Sequence, residues 1–287
     1  MDATLILSLL TMGGLGIFFA GALAIADRKL RVEEDPRIND VNDVLPGANC
    51  GACGEAGCQA FAISVVEGRQ EANGCPVGGA ETAEAVASVM GVDAGDTVKI
   101  VARVHCRGGK GLVQEKATYD GPQKCSARVL VAGGEQTCMW GCVGGGDCVE
   151  ACNFDAIFMN DAGLPEIIDE LCTGCGACAR ACPRDVIEMH PITREHFVFC
   201  RSHDDPKTSR KTCSVACIGC GICTRKVEDS AYMDNGLAVI DYEKLNPAIV
   251  PFEKCPTGAI GPYTKYTQAR AGQLRGSLSS PMPQPPA

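Results

Sequence analysis

Twenty of the 287 residues are cysteine, and most of them fall in short runs. "CTGCGACARACP" holds Cys172, Cys175, Cys178 and Cys182, and "CIGCGIC" holds Cys217, Cys220 and Cys223. Thiolates at this spacing converge on one small point, which is what a metal centre requires. A secreted disulfide scaffold is also cysteine-rich, but it is short and seldom repeats C-x-x-C-x-x-C. Zinc closes its sites with four ligands and rarely uses a run of four cysteines ending in proline, whereas iron–sulfur sites do. The chain has only four histidines, so thiolate is its main metal-binding chemistry.

Spacing sorts the cysteines into sets. Cys50, Cys53, Cys58 and Cys75 lie in "NCGACGEAGCQAFAISVVEGRQEANGCPVGG", flanked by glycines that let the backbone turn and present amides to sulfur. One 4Fe–4S cluster is expected there. The runs "CMWGCVGGGDCVEACNFDAI" and "CTGCGACARACPRDVI" resemble the two halves of a bacterial ferredoxin. In two-cluster ferredoxins the fourth cysteine of each motif ligates the other cluster. This crossover assigns Cys138, Cys142, Cys148 and Cys182 to one cluster, and Cys152, Cys172, Cys175 and Cys178 to its neighbour. "FDAI" and "RDVI" repeat the short strand that follows each half.

The last motif is incomplete. "CIGCGIC" has Val227 where a fourth cysteine belongs, and "DYEKLNPAIVPFEKCPTGAI" retains only Cys255. Leu245, Ala248 and Pro251 occupy its other ligand positions. Under the crossover rule, the four missing ligands all belong to one cluster. The four that remain, Cys217, Cys220, Cys223 and Cys255, all belong to its partner, so this unit is expected to hold one cluster. Cys106, Cys125, Cys200 and Cys213 are left over. They either form a fifth cluster beside the central unit or are buried structural thiols.

Several elements must position these sets. Ala3 to Ala26 carries no charge and is long enough for a membrane-spanning helix. A cleaved signal peptide is the alternative, but no basic segment precedes the apolar run. Arg28, Lys29 and Arg31 follow it, which predicts a single pass with the N-terminus outside and the cysteine-rich body in the cytoplasm. A reducing compartment suits free thiolates. "CQAFAISVVEG" reads as a helix starting at Cys58, and Glu81–Met90 as an amphipathic helix. "DTVKIVARVHC" alternates like a strand. The expected fold class is α+β: a transmembrane anchor (1–28), a small cluster domain (29–92), a linking segment (93–135), a two-cluster ferredoxin unit (136–192), a one-cluster unit (193–262) and a disordered tail (263–287). Aromatic residues make up only 5% of the chain, so clusters are expected to stand in for part of the core.

Other features exclude functions. A net charge of -9 argues against nucleic acid. "HCRGGKGL" and "CVGGGDC" lack the spacing of phosphate or dinucleotide loops, so no NAD or flavin site is expected. His105, His190, His196 and His203 lack Rieske pairing and are expected to be structural or superficial. Trp140 is expected to shield a cluster. Arg201, Lys207, Arg210, Lys211, Arg225 and Lys226 form a basic stretch near the Cys217 site. It is either a solvated loop or a dock for an acidic electron carrier.

The order of an N-terminal apolar helix, a C-x2-C-x4-C-x16-C-P domain and ferredoxin repeats resembles the RnfB (RsxB) family in its long polyferredoxin form. "LPGANCGACGEAGCQAFA", "GCVGGGDCVEACNFDAI" and "KTCSVACIGCGIC" carry the likeness. The degenerate last motif departs from it. The resemblance implies an electron-transfer subunit of an ion-translocating ferredoxin:NAD oxidoreductase. It implies membrane partner subunits, soluble reduced ferredoxin as donor, and NAD bound on another subunit. The cysteines would be ligands, with no catalytic residue. Chain order suggests electron exit at the Cys50 cluster and entry at the distal ones. Alternatives are a polyferredoxin serving another reductase or a redox-regulator system, a corrinoid-protein component, and a zinc-stapled scaffold.

Overall fold

The computed structural model describes residues 3–30, 35–227 and 229–263. Helix α1 (Ala3–Leu30) has 28 residues, about 42 Å at 1.5 Å per residue. Its side chains from Leu10 to Ile25 are all exposed. An apolar helix with no protein around it has the character of a membrane span. By length and composition it is the one such helix among the described residues. Arg31 lies outside them.

Three helices form the next unit: α2 (Arg37–Val44), α3 (Cys58–Val66) and α4 (Gly79–Met90). Val41, Phe61, Val65 and Val86 close its core. The turn into α3 is set by Asn49, whose Oδ1 accepts the Cys58 N–H at 2.9 Å. A Cβ on Gly57 would come within 2.8 Å of that oxygen, so a larger residue there would push the Asn49 amide out of this bond.

The central unit contains β1 (Ile100–Val104), α5 (Cys125–Leu130), α6 (Asp147–Glu150), β2 (Ile157–Met159), β3 (Pro165–Ile167), α7 (Ala177–Arg180) and β4 (Ile187–Pro191). Its two halves repeat. Gly146 and Gly176, both left-handed, start α6 and α7. Asp155 and Asp185 turn the chain at φ +51° and +50° ahead of β2 and β4. β2 pairs with β3, and β1 pairs antiparallel with β4 from Ile100↔Pro191 to Val104↔Ile187.

That second pairing corrects the expectation of a linking segment over 93–135. β1 is a strand of the ferredoxin unit itself. Alternation suggests one wet face, yet Val101 and Ala102 are fully buried and Arg103 nearly so, because both faces are covered. Arg103 tolerates burial by pairing bidentately with Asp169 at 2.5 and 2.9 Å, under the Tyr263 ring at 4.1 Å.

The distal unit contains β5 (His196–Val198), α8 (Pro206–Thr212), a 3₁₀ turn at Ile222–Thr224, β6 (Ala231–Asp234), β7 (Leu237–Ile240), a second 3₁₀ turn at Phe252–Lys254 and β8 (Ile260–Pro262). β6 and β7 form a hairpin around Asn235-Gly236, both at positive φ as a tight turn requires. β5 pairs with β8. Tyr263, expected in a disordered tail, belongs to the fold: its N–H donates to Glu195 O at 2.7 Å and its ring meets Phe197. The remainder of that tail, 264–287, lies outside the described residues.

Few aromatics are available, and several gather where the two units meet. Phe197, fully buried, has the rings of Phe199, Tyr242 and Tyr263 within 6.2 Å.

Candidate iron–sulfur centres

Among the described residues all twenty cysteines are free, and the fold gathers them in groups. Cys50, Cys53, Cys58 and Cys75 line one cavity of about 330 Å³ with Leu45, Phe61 and Pro76. Cys217, Cys220, Cys223 and Cys255 line another of about 320 Å³ with Val198, Ile218 and Ile260. Burial opposes a thiolate at Cys255, but N–H groups of Ile260 and Thr257, and the Thr257 hydroxyl, bring its pKa below the ordinary value. Cys172 and Cys178 are buried in the core of the central unit, and Cys152 packs against it. Cys172 and Cys175 both add to the burial that pushes the Cys178 thiol up to about 12.

The remaining two groups differ from the expected sets by one exchange. Cys125, Cys142, Cys148 and Cys182 line a cavity of about 340 Å³. Cys106, Cys138, Cys200 and Cys213 line one of about 420 Å³. The structure thus separates Cys138 from Cys142, Cys148 and Cys182, and separates Cys125 from Cys106, Cys200 and Cys213. Asp147 causes the first half of this exchange. Its carboxylate accepts the N–H of Cys125 at 2.6 Å and of Ser126 at 3.0 Å, which docks the start of α5 beside Cys148. Gly145 N–H then donates to Cys125 Sγ at 3.2 Å. Between Cys138 and Cys142 the chain bends, and Gly141 N–H serves Cys138 Sγ at 3.2 Å while Cys142 N–H serves Cys106 Sγ at 3.4 Å.

A signal for this was present in the internal repeat. The offset that carries Cys148 to Cys178 and Cys152 to Cys182 also carries Cys142 to Cys172 and Gly145 to Cys175. Position 145 is therefore where the first half lacks a cysteine, and Cys138 stands outside the repeat.

The groups suit iron–sulfur clusters in donor chemistry and surroundings. Each cavity brings together four thiols in an apolar wall, with backbone N–H groups directed at sulfur. Burial pushes the Cys106 thiol up to about 12 and the Cys148, Cys200 and Cys223 thiols up to about 11. Such thiols ionise only when a cation replaces the proton, so ligation and folding are coupled.

The groups also adjoin in succession. Arg180 donates to the carbonyls of Cys175 at 3.2 Å and Cys50 at 3.4 Å, joining the helical unit to α7. Cys148 lies close enough to Cys178 to disfavour its thiolate. The Cys142 N–H to Cys106 bond links the next pair. Cys217 N–H is directed at Cys200, which packs on the apolar cluster of Cys213 that Cys138 also flanks, and on the distal core that Cys217 and Cys255 flank.

The two ligand positions of the distal unit nearest its interior, Val227 and Leu245, belong to an apolar core with Ile249, Val250 and Phe252. Ala248 is exposed and Pro251 half-buried. Trp140 lines the Cys106–Cys213 cavity and is 38% exposed, so it covers that site only in part.

One cluster of side chains escaped sequence reasoning. His105 Nε2 lies 3.0 Å from His190 Nε2, and both lie 3.2–3.3 Å from Glu188 Oε2. These spacings match the edge of a tetrahedral site with metal–ligand bonds of about 2.0–2.1 Å. The charges do not match. Arg201 already pairs with Glu188, and Arg194 donates to His190 Nδ1 at 3.0 Å, which leaves the proton of His190 on Nε2. Burial keeps His105 neutral, with a pKa of about 4, and its Nδ1 bonds the Val198 carbonyl at 2.8 Å. Hydrogen bonds from His190 and Arg201 hold Glu188 at about 2. The group is a hydrogen-bonded knot tying β1 and β4 to β5. His196 stacks on Phe252 at 4.2 Å and His203 meets Trp140 at 5.1 Å.

Comparison with known proteins agrees with this architecture. A family model for an Fe-S cluster matches residues 45–77, and one for a 4Fe-4S dicluster domain matches 137–186. The chain is 40% identical to the B subunit of the Na(+)-translocating ferredoxin:NAD(+) oxidoreductase complex of Acetobacterium woodii, over 91% of this chain and 78% of that protein. It is 37% identical to the B subunit of an ion-translocating oxidoreductase complex of Methanosarcina acetivorans, over 91% and 99%. It is 38% identical to the B subunit of the proton-translocating ferredoxin:NAD(+) oxidoreductase complex of Clostridium ljungdahlii, over 90% and 92%. With cluster-forming cysteines in succession and this likeness along nearly its whole length, the chain belongs to the RnfB family of ion-translocating oxidoreductase complexes.

Proposed function

We propose that the chain carries five 4Fe–4S clusters as a one-electron relay from reduced ferredoxin to the membrane subunits of its complex, and through them to NAD on another subunit. Ligation would follow the structural groups: Cys50/Cys53/Cys58/Cys75, Cys152/Cys172/Cys175/Cys178, Cys125/Cys142/Cys148/Cys182, Cys106/Cys138/Cys200/Cys213 and Cys217/Cys220/Cys223/Cys255. The observation that carries the reading is the unbroken succession of these groups. Three of the scattered cysteines, Cys106, Cys200 and Cys213, join Cys138 in its fourth member, and Cys125 completes the third.

Bound clusters supply sites that gain or lose one electron. The chain's own residues fix where those sites are and what potential they have. Backbone N–H groups of Gly141, Gly144, Gly145 and Ser202 point at cysteine sulfur and favour the more negatively charged, reduced state. Apolar walls exclude water. α1 would anchor the relay, with Arg28 and Lys29 at its cytoplasmic end, the N-terminus outside and the cysteine-rich body in the cytoplasm. The Cys50 group, next in the chain after α1, is the exit toward the membrane subunits. In this reading the NAD and flavin sites and the ion path reside on other subunits of the translocase.

Iron and acid-labile sulfide per chain test the cluster number on the full-length protein, purified anaerobically in detergent. About twenty of each are expected for five clusters. About sixteen would remove one group from the relay and overturn it as drawn.

A further inference from the structure

We infer that electrons enter at the fourth group of the relay, counted from the Cys50 end, through an acidic ferredoxin that docks on the outer face of α8. This rests on the reading of ferredoxin as donor, and it moves the entrance away from the distal group that chain order suggests.

α8 lies between solvent and one cluster cavity. Its inner residues Ser209 and Thr212 are buried and line the Cys106/Cys138/Cys200/Cys213 cavity. Its C-cap residue is Cys213 itself. Its outer residues Lys207, Arg210 and Lys211 are exposed. Arg37, Arg69, Arg103, Lys124, Arg128, Arg201 and Lys244 all form ion pairs with acidic side chains. Lys207, Arg210 and Lys211 appear in none of the ion pairs within 4 Å among the described residues, though Asp205 at the N-cap offsets part of the Lys207 charge. On a chain of net charge -9, three unpaired cations on one short helix form a local field of opposite sign.

The same face offers apolar contact. Trp140 lines the cavity and is 38% exposed, held by its Nε1–H to Asp204 Oδ1 at 3.0 Å. Leu112, 42% exposed, adjoins the end of α8 through the Ser214 N–H to Leu112 O bond of 2.9 Å. A small apolar contact with a cationic surround suits a transient, electrostatically steered complex. One electron would leave the ferredoxin, oxidising it, and arrive at the cluster held by Cys138 and Cys213, reducing it. No bond is made or broken.

Arg201 does not contribute to this surface, because it is paired with Glu188. Arg225 and Lys226 are exposed beside the Cys217 group, where Arg225 donates to Cys220 O at 3.3 Å. They mark the competing entrance.

The test measures binding of an oxidised bacterial two-cluster ferredoxin to the full-length protein in detergent, across a range of salt. Lys207→Glu/Arg210→Glu/Lys211→Glu should weaken binding roughly tenfold or more at low ionic strength, with the loss shrinking as salt screens the charges. Iron per chain and reduction by dithionite should stay at wild-type levels. The milder Lys207→Gln/Lys211→Gln should show a smaller loss of the same salt dependence. Arg225→Glu/Lys226→Glu should leave binding nearly unchanged. If the wild type binds but the α8 variants bind as well as it does, or the Arg225/Lys226 variant loses more, the α8 entrance is wrong and the donor assignment stands. If the wild type does not bind ferredoxin, the donor assignment falls and the α8 surface falls with it.

Discussion

The central and distal ferredoxin-like units start from the same turn. Gly174 and Gly176 lead into buried Cys178 at φ +74° and +69°, and Gly219 and Gly221 lead into buried Cys223 at +61° and +64°. They part just afterwards. The central unit continues to Cys182 and keeps two cysteine groups around one core. The distal unit continues to Val227 and closes the matching space with Leu245, Ile249, Val250 and Phe252. The retained site there is walled by Val198, Ile218 and Ile260, so a lost cluster would leave an apolar void beside such walls. Unfilled apolar voids cost roughly 24 cal/mol per Å³. Losing a cluster is therefore a repacking problem, and replacing all four ligands together while enlarging the core solves it. The central unit meets the opposite problem. It lacks one local cysteine, at Gly145, and its cavity takes in Cys125 from a distant segment.

The largest expected effects come from testing that recruitment. Cys106→Ala with Cys138→Ala should remove about four irons per chain, because both changes strike one group. Cys106→Ala with Cys125→Ala should remove about eight, because they strike two. The reverse pattern would restore the simple ferredoxin grouping and erase the contrast between the units.

This contrast also shows what the sequence makes legible. The Cys50 and Cys217 groups follow from spacing alone, and Cys255 follows from the crossover rule, because each depends on one motif and its repeat. The exchange of Cys125 and Cys138 depends on Asp147 reaching across to the amides of Cys125 and Ser126, a long-range contact that no local spacing encodes. The strand β1 is legible in its alternation, but its place in the ferredoxin unit escaped for the same reason, as did that of Tyr263. Their places in the fold are set by pairing with β4 and by the Arg103 guanidinium, both far away in sequence. The knot of His105, Glu188 and His190 likewise exists only once β1 lies against β4.

The distal core is tested next. Phe252 is buried there and stacks on His196 at 4.2 Å. Phe252→Ala should cost about 3–5 kcal/mol of stability, with iron per chain unchanged in the protein that remains folded. A loss of iron at unchanged stability would mean that Phe252 supports the Cys217 group directly and does not act as filler.

Gly145 comes third. A Cβ there would sit 2.3 Å from the Cys125 backbone nitrogen, where nothing can move aside cheaply. Gly145→Ala should cost about 1–3 kcal/mol and loosen the Cys125 group first. A chelator challenge followed by cluster spectroscopy would read both. In the second half of the central unit this position is Cys175, whose side chain is itself a ligand in the proposed assignment. The glycine is thus the space left for a recruited cysteine.

Asp147 gives the smallest and most specific effect. It occupies the first position of α6, and the repeat places Ala177 at the matching position of α7. Burial opposes its charge, but the amides of Ser126 and Cys125 outweigh burial and hold its carboxyl below the usual range. The second half has its ligand locally at Cys175 and needs no such clamp. Asp147→Ala should therefore cost about 1 kcal/mol, the scale of a lost helix-terminus acceptor. It should also hasten iron loss from the Cys125/Cys142/Cys148/Cys182 group alone, while Asp147→Asn, which retains one acceptor oxygen, should recover part of the effect. Uniform iron loss from every group would instead make Asp147 a general stabiliser of the central unit. The difference between its two halves would then lie in Gly145 alone.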